Sequence, residues 1–105
     1  MRVLTAQALQ QLIQAQPDAL YLLDVREDWE RQLVAIDDSL HIPLGQLKAG
    51  FEALPRDREI LVYCHHGMRS QQAAMFLDTQ GFQTINLQGG IDAWAAEVDP
   101  ALPRY

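Results

Sequence analysis

Cys64 is the residue of this sequence best placed to do chemistry. It ends an apolar run that begins at Glu59, and it is followed by the short loop His65 to Ser70, which contains Gly67 and leads into a stretch with helical periodicity. A thiol between a buried strand and a helix N-terminus meets backbone N–H groups and the positive end of the helix dipole, and both favour the thiolate. Because the thiolate is the reactive form of cysteine, the pattern predicts a nucleophile in a loop whose amides can also hold an anion carried on the sulfur.

Cys64 is also the only cysteine among the 105 residues. The chain therefore cannot form an intrachain disulfide, and we expect it to fold by packing alone in a reducing compartment. It also has no second thiol to resolve a bond made by the first. Any covalent adduct on Cys64 must be passed to an external acceptor, which excludes a self-contained dithiol cycle of the C-x-x-C kind.

Length, composition and charge narrow the class of protein. Hydrophobic residues make up 49% of the chain, which at this length fits one compact domain, residues 1–105, with a single core. Fourteen acidic and eight basic residues give a net charge of −6, so binding to a phosphate backbone is disfavoured. No apolar run is long enough for a signal peptide or a membrane span. We expect a cytoplasmic, monomeric protein that binds neither nucleic acid nor membrane.

Apolar patterns that favour strands and helices alternate along the chain. Near-continuous apolar runs predict buried strands, and apolar residues on one face of a 3.6-residue period predict helices. The strands are predicted at residues 19–25, 59–63 and 84–87, and the helices at residues 6–15, 27–31, 46–54, 70–80 and 91–98. Thr5 is the expected N-cap of the first helix, and Gly81 is the expected left-handed residue after the fourth. The alternation indicates an α/β fold with a mostly parallel sheet and helices on both faces.

Charged residues stand at the end of the first predicted strand. Asp24 and Arg26 occupy this position, as Cys64 does at the end of another strand, and function gathers beyond the C-terminal ends of parallel strands. A structural ion pair would use the same contacts as a functional one, so both interpretations of Asp24 and Arg26 stay open. The nearby acidic residues are expected to form a solvated face: Glu27, Asp28, Glu30, Asp37 and Asp38.

Four separated segments of the chain form a recognisable set. Residues 23–27, LDVRE, are followed by Trp29-Glu30, and residues 41–44 read HIPL. Residues 64–70, CHHGMRS, have the pattern C-x-x-G-x-R-S, and residues 87–91, LQGGI, precede Trp94. Any one segment is a weak signal, but four in this order and spacing are specific. Together they resemble the rhodanese family of sulfurtransferases over nearly the whole chain.

The resemblance implies a three-layer α/β/α fold with a mostly parallel central sheet of about five strands. It implies that Cys64 is the catalytic nucleophile, which takes the outer sulfur of a donor such as thiosulfate, becomes a persulfide and passes the sulfur to cyanide, a thiol or a protein cysteine. The residues implied to bind the small sulfur-containing anion are His65, His66, Gly67, Met68 and Arg69. Those implied to support the loop are Asp24, Arg26 and Ser70. No cofactor and no metal are expected.

Three other interpretations have different consequences. A cysteine phosphatase or arsenate reductase on the same scaffold would use one residue more than the four, His65 to Met68, that separate Cys64 from Arg69 here. It would turn over phosphate esters or arsenate without sulfane sulfur. A non-catalytic persulfide carrier or interaction module is also possible on this scaffold, although inactive relatives usually lose the cysteine. A metal site on Cys64, His41 and the loop histidines would need adjacent residues as ligands, which gives poor tetrahedral geometry.

Overall fold

A parallel β-sheet forms the centre of the computed structural model, which describes residues 1–105. Its five strands are β1 (Arg2–Leu4), β2 (Leu20–Asp24), β3 (Ser39–His41), β4 (Glu59–Tyr63) and β5 (Thr84–Leu87). All neighbouring strands pair in parallel, in the order β1-β5-β4-β2-β3. Strand β4 is therefore central and covered on both faces, which explains why its sequence is apolar almost without interruption.

Five helices cover the two faces of the sheet: α1 (Ala6–Ala15), α2 (Asp28–Leu33), α3 (Leu47–Gly50), α4 (Met68–Thr79) and α5 (Gly90–Glu97). Helices α1 and α5 pack on one face, where the core includes Trp94 and Tyr63. Helices α3 and α4 pack on the other face, where the core includes Leu77 and Cys64. Consecutive strand residues point to opposite faces, so Tyr63 and Cys64 belong to different cores. The expected three-layer α/β/α fold is confirmed.

Most of the predicted elements are confirmed. Helix α1 has the predicted bounds, and the Ala8 N–H donates to the Thr5 hydroxyl at 3.1 Å as an N-cap bond. Gly81 follows α4 with φ +89°, the left-handed conformation that commonly ends a helix. Strands β2, β4 and β5 lie within the ranges that the apolar runs predict. No helix is long and apolar enough to cross a membrane.

Several segments differ from the predictions. The helix predicted over residues 46–54 is divided into a 3₁₀-helix (Leu44–Gln46), α3 and a second 3₁₀-helix (Phe51–Ala53), since Gly45 and Gly50 disfavour a continuous α-helix. Strands β1 and β3 are not predicted by the apolar pattern, because each has only three residues and forms at an edge of the sheet by pairing with one neighbour, β5 or β2. Helix α4 begins at Met68 rather than Ser70, so its first turn belongs to the cysteine loop.

Candidate active site

Cys64 lies directly after β4, at the edge of the sheet where the parallel strands end. A small open cleft at this edge is lined by Cys64, His65, His66, Met68 and Arg69. A more enclosed cavity of about 200 Å³ lies on the opposite face of the sheet, where Trp94 forms part of its wall, and its lining contains no cysteine or histidine. The cleft at the cysteine loop is therefore the candidate active site.

The sulfur of Cys64 has two polar contacts. The Gly67 N–H donates to Sγ at 3.0 Å, and the Ser70 hydroxyl lies 3.3 Å from Sγ. Gly67 has φ +109°, a left-handed conformation that glycine adopts without strain, and this turn brings its N–H back to the sulfur. The loop thus presents donors to Cys64 at the N-terminus of α4, as the sequence pattern predicts.

Asn86 on β5 braces this arrangement. Its Oδ1 accepts a hydrogen bond from the Ser70 hydroxyl at 2.6 Å, and its Nδ2 donates to the Gly67 carbonyl at 3.1 Å. Asn86 is absent from the residues that the sequence predicts for the site. The available signal is a polar amide in an otherwise apolar buried strand, because such a group needs hydrogen-bond partners.

The surroundings of Cys64 lower the pKa of its thiol. Burial on its own raises the pKa, because a buried environment disfavours the charged thiolate. The Ser70 hydroxyl and the N–H groups of Ser70, Gly67 and His66, which surround the sulfur, together outweigh the burial. The resulting pKa is below the ordinary value of a cysteine, so the reactive thiolate is favoured.

Arg69 lines the cleft, but its charge is paired with Glu30 of α2. The guanidinium donates two hydrogen bonds to the carboxylate, and the one from Nη2 to Oε2 measures 2.9 Å. Burial raises the pKa of Glu30, but the bonds from Arg69 and from the Tyr105 hydroxyl lower it to about 2. The prediction that Glu30 lies on a solvated face is wrong, because these tertiary contacts bury it while Glu27 and Asp28 remain exposed.

Asp24 and Arg26 form a fully buried ion pair behind the loop. Arg26 donates from Nε to Oδ1 of Asp24 at 2.9 Å and from Nη2 to Oδ2 at 2.8 Å. Its Nη1 donates to the Tyr105 hydroxyl at 2.9 Å, and that hydroxyl donates to Oε2 of Glu30 at 2.6 Å. Asp24 and Arg26 therefore connect to the loop through Tyr105, Glu30 and Arg69 rather than by a hydrogen bond of their own.

The two loop histidines have different environments. The His65 ring stacks on the Tyr105 ring with centroids 3.9 Å apart, and burial lowers the pKa of His65, which keeps it neutral at neutral pH. The His66 side chain is exposed, and its Nε2 lies 3.7 Å from the Asp92 carboxylate. Met68 is 77% exposed at the first position of α4. His66 and Met68 are therefore the loop side chains most exposed to an incoming molecule.

His65, His66 and Asp92 have ligand atoms within 4.8 Å of one another, but their geometry does not fit a metal centre. The Asp92 carboxylate already accepts hydrogen bonds of 3.0 and 3.1 Å from Arg104. The imidazoles of His65 and His66 are stacked with centroids 3.9 Å apart and 28° between their planes, so their nitrogen lone pairs lie in two separate planes rather than facing a shared ion. His41 uses Nε2 to contact a backbone carbonyl at 2.7 Å. We therefore propose no metal site.

Helix α5 holds the loop from the other side. The N–H groups of Ile91 and Asp92 donate to the carbonyls of Cys64 and His65 at 2.9 and 3.2 Å. Gly90 has φ +61°, and a Cβ at this position would lie 2.3 Å from the His65 carbonyl oxygen. Glycine is required here because a side chain would collide with the backbone of the cysteine loop.

Comparisons with known proteins agree with this fold. The Rhodanese-like domain family matches residues 5–97. The chain is 42% identical over 93 residues to the Bacillus subtilis protein YtwF, with 89% of each protein covered. It is 33% identical over 78 residues to the thiosulfate sulfurtransferase GlpE of Coxiella burnetii, with 73% of each covered. The crystal structure of a rhodanese-related protein from Thermoplasma volcanium superposes with a TM-score of 0.85 and 35% identity, covering 93% of this chain and 94% of that one. On these grounds the chain belongs to the rhodanese-like domain family.

Proposed function

We propose that this protein is a sulfurtransferase that carries sulfane sulfur as a persulfide on Cys64. The observation that carries the proposal is the pair of donors on Sγ, the Gly67 N–H at 3.0 Å and the Ser70 hydroxyl at 3.3 Å. Such donors favour a thiolate nucleophile, and the other N–H groups of the loop can face the negative charge of a bound persulfide. Relatives that are named sulfurtransferases support sulfur transfer in general.

In the first half-reaction the Cys64 thiolate attacks the outer sulfur of a donor such as thiosulfate. A new S–S bond forms between Sγ and that sulfur, the S–S bond within thiosulfate breaks, and sulfite leaves with the bonding electron pair. Sulfite is a stable anion and needs no proton in order to leave. This reaction therefore needs no general acid in the cleft, in contrast to the release of an alkoxide from a phosphate ester.

In the second half-reaction an external nucleophile attacks the outer sulfur of the persulfide. The bond between that sulfur and Sγ breaks, its electron pair returns to Sγ, and the Cys64 thiolate is regenerated. The acceptor is cyanide, a low-mass thiol or a protein cysteine, since the chain has no second cysteine. We further propose that the protein acts as a monomer in the cytoplasm, where acceptor thiols are kept reduced.

The charges around the cleft favour only modest affinity for the thiosulfate dianion. The charge of Arg69 is balanced by Glu30, and His65 is neutral at neutral pH because burial lowers its pKa. The Asp92 carboxylate, which pairs with Arg104, lies 3.7 Å from Nε2 of His66 and adds a negative group beside the cleft. The donor would be held mainly by backbone N–H groups, so we expect a KM for thiosulfate at the upper end of the usual range, about 1 mM or above.

Steady-state kinetics with thiosulfate and cyanide test the proposal. We expect ping-pong kinetics, because the persulfide forms before the acceptor reacts, and we expect no thiocyanate from a Cys64→Ser variant. Turnover of phosphate esters or arsenate without sulfane sulfur would contradict the proposal and identify the phosphatase or arsenate reductase chemistry. The spacing of four residues between Cys64 and Arg69 favours sulfur transfer over that alternative.

A further inference from the structure

Tyr105, the last residue of the sequence, places its side chain against the candidate active site. Its hydroxyl bridges Glu30 and Arg26, and its ring stacks on His65 with 6° between the two planes. The ring also meets Trp29 edge-on, with centroids 5.8 Å apart. Tyr105 lies outside residues 5–97, the part of the chain that matches the family. Tyr105 also lies outside the four motif segments of the sequence.

The Tyr105 hydroxyl joins two ion pairs. One is the buried pair of Asp24 and Arg26 at the end of β2, and the other is the pair of Glu30 and Arg69 that links α2 to the cysteine loop. Burial and the Glu30 carboxylate raise the pKa of Tyr105 to about 12, so the hydroxyl keeps its proton and donates to Glu30 at neutral pH. Without it, Glu30 and Arg26 would each lose a partner in a buried environment, which is unfavourable.

The Tyr105 ring fixes the loop next to the reacting sulfur. His65 directly follows Cys64, and its imidazole is stacked by both Tyr105 and His66, each with a centroid separation of 3.9 Å. Tyr105 thus holds the loop at two points. The ring acts on His65, the residue directly after Cys64, and the hydroxyl acts through Glu30 on Arg69, at the far end of the loop.

We infer that Tyr105 is a positioning residue for the cysteine loop. It holds the backbone N–H groups of the loop in the arrangement that stabilises the Cys64 thiolate. It contacts neither Sγ nor the space in front of it, so it acts through the shape of the loop and not in the chemical step. The inference rests on the proposed function only in taking Cys64 as the reacting group.

Two substitutions separate the hydroxyl from the ring. Tyr105→Phe removes the hydroxyl and keeps the stack on His65, whereas Tyr105→Leu removes both. The rate of Cys64 alkylation by iodoacetamide is measured by intact mass as a function of pH. We expect the midpoint of this profile to move to higher pH in both variants, with alkylation at a pH below the midpoint slower by roughly 2- to 10-fold in Tyr105→Phe, the equivalent of one hydrogen bond. The effect in Tyr105→Leu should be larger.

The matched control is Tyr21→Phe, which removes the hydroxyl of a half-buried tyrosine near the other end of β2. Its alkylation profile should coincide with that of the wild type. If Tyr105 were only an anchor for the tail, its variants would melt at a lower temperature while the profile of the folded protein stayed unchanged, and this result would overturn the inference. If Tyr105→Leu does not fold, Tyr105→Phe alone decides. The assay needs no sulfur donor, so a wild type that transfers no sulfur would refute the proposed function and leave this inference to be decided by the alkylation profiles.

Discussion

Removal of the Ser70 hydroxyl is the change that most directly probes why Cys64 is reactive. In Ser70→Ala the Gly67 N–H still donates to Sγ at 3.0 Å, but the hydroxyl at 3.3 Å is lost. The hydroxyl is one of the groups that lower the pKa of Cys64 against the effect of burial, so its loss raises that pKa. Asn86 also loses a donor to its Oδ1, and we expect the free energy of unfolding to fall by about 1–3 kcal/mol.

The size of the effect on the thiolate follows from the geometry. Hydrogen bonds to charged groups contribute about 1.5–3 kcal/mol. The single hydroxyl hydrogen of Ser70 is shared between Sγ at 3.3 Å and Asn86 at 2.6 Å, so the lower end of that range applies. This corresponds to about tenfold less thiolate at a pH below the midpoint. A thiolate of higher pKa is intrinsically more nucleophilic, with a Brønsted slope of about 0.4–0.5, and this gain offsets the loss by roughly threefold.

The rate at which Cys64 reacts with a small neutral disulfide such as dithiodipyridine can be followed by absorbance over a range of pH. We expect the pH–rate profiles of the wild type and of Ser70→Ala to cross. Compared with the wild type, Ser70→Ala should react about threefold more slowly at low pH and about threefold faster on the plateau at high pH. The matched control is Ser39→Ala, which removes another buried hydroxyl, one that contacts Tyr63 at 2.8 Å and Ile36 at 2.6 Å instead of the sulfur. If both serine variants lose stability and both keep the wild-type profile, the hydroxyl does not stabilise the thiolate and the reasoning is wrong.

Two further predictions concern the residues packed around the loop. Glu30 has a pKa of about 2 in the folded protein, below its ordinary value of 4.5, so its stabilising contribution is complete above about pH 4.5 and is lost as the pH falls towards 2. Glu30→Gln should lower the free energy of unfolding at neutral pH by on the order of 3 kcal/mol and should make the stability measured by urea unfolding depend less on pH in the acid range. A variant whose free energy of unfolding falls with pH in parallel with that of the wild type would contradict this. Gly90→Ala should lower Tm by roughly 10 °C, because the new Cβ would lie 2.3 Å from the His65 carbonyl oxygen. In the control Gly45→Ala the new Cβ meets no atom within 4 Å, so Tm should stay nearly unchanged. Equal Tm values for the two glycine variants would refute the close approach of α5 to the loop.

The sequence predicts those parts of the fold that a local pattern of residues determines. The apolar run of β4, the glycine in the following loop and the helical periodicity beyond it place Cys64 between a strand and a helix N-terminus, and the structure has this arrangement. Gly67 and Gly81 adopt positive φ where a turn and a helix end require it. Strands β1 and β3 are not predicted because three residues carry too little pattern, and only the pairing with β5 and with β2 defines them.

The residues that pack around the cysteine loop contact one another across long separations in sequence. Tyr105 and Glu30 are 75 positions apart and share a hydrogen bond of 2.6 Å. Glu30 and its neighbour Asp28 are both acidic, so charge alone does not show that Glu30 is buried in an ion pair while Asp28 is exposed to solvent. Its place directly after Trp29 in a motif of the family is the one signal that sets it apart. The contacts of Tyr105 depend on the path of the tail across the loop, which local patterns do not determine.

Intact mass spectrometry of the reduced protein after incubation with thiosulfate tests the central claim most directly. We predict that the wild type gains the mass of one sulfur atom, that Cys64→Ser gains none, and that added cyanide removes the sulfur and yields an equivalent amount of thiocyanate. A wild-type protein that is readily alkylated at Cys64 but takes up no sulfur from thiosulfate would contradict the claim that this loop forms a persulfide from that donor. Sulfur uptake that persists in Cys64→Ser would contradict the assignment of Cys64 as its carrier.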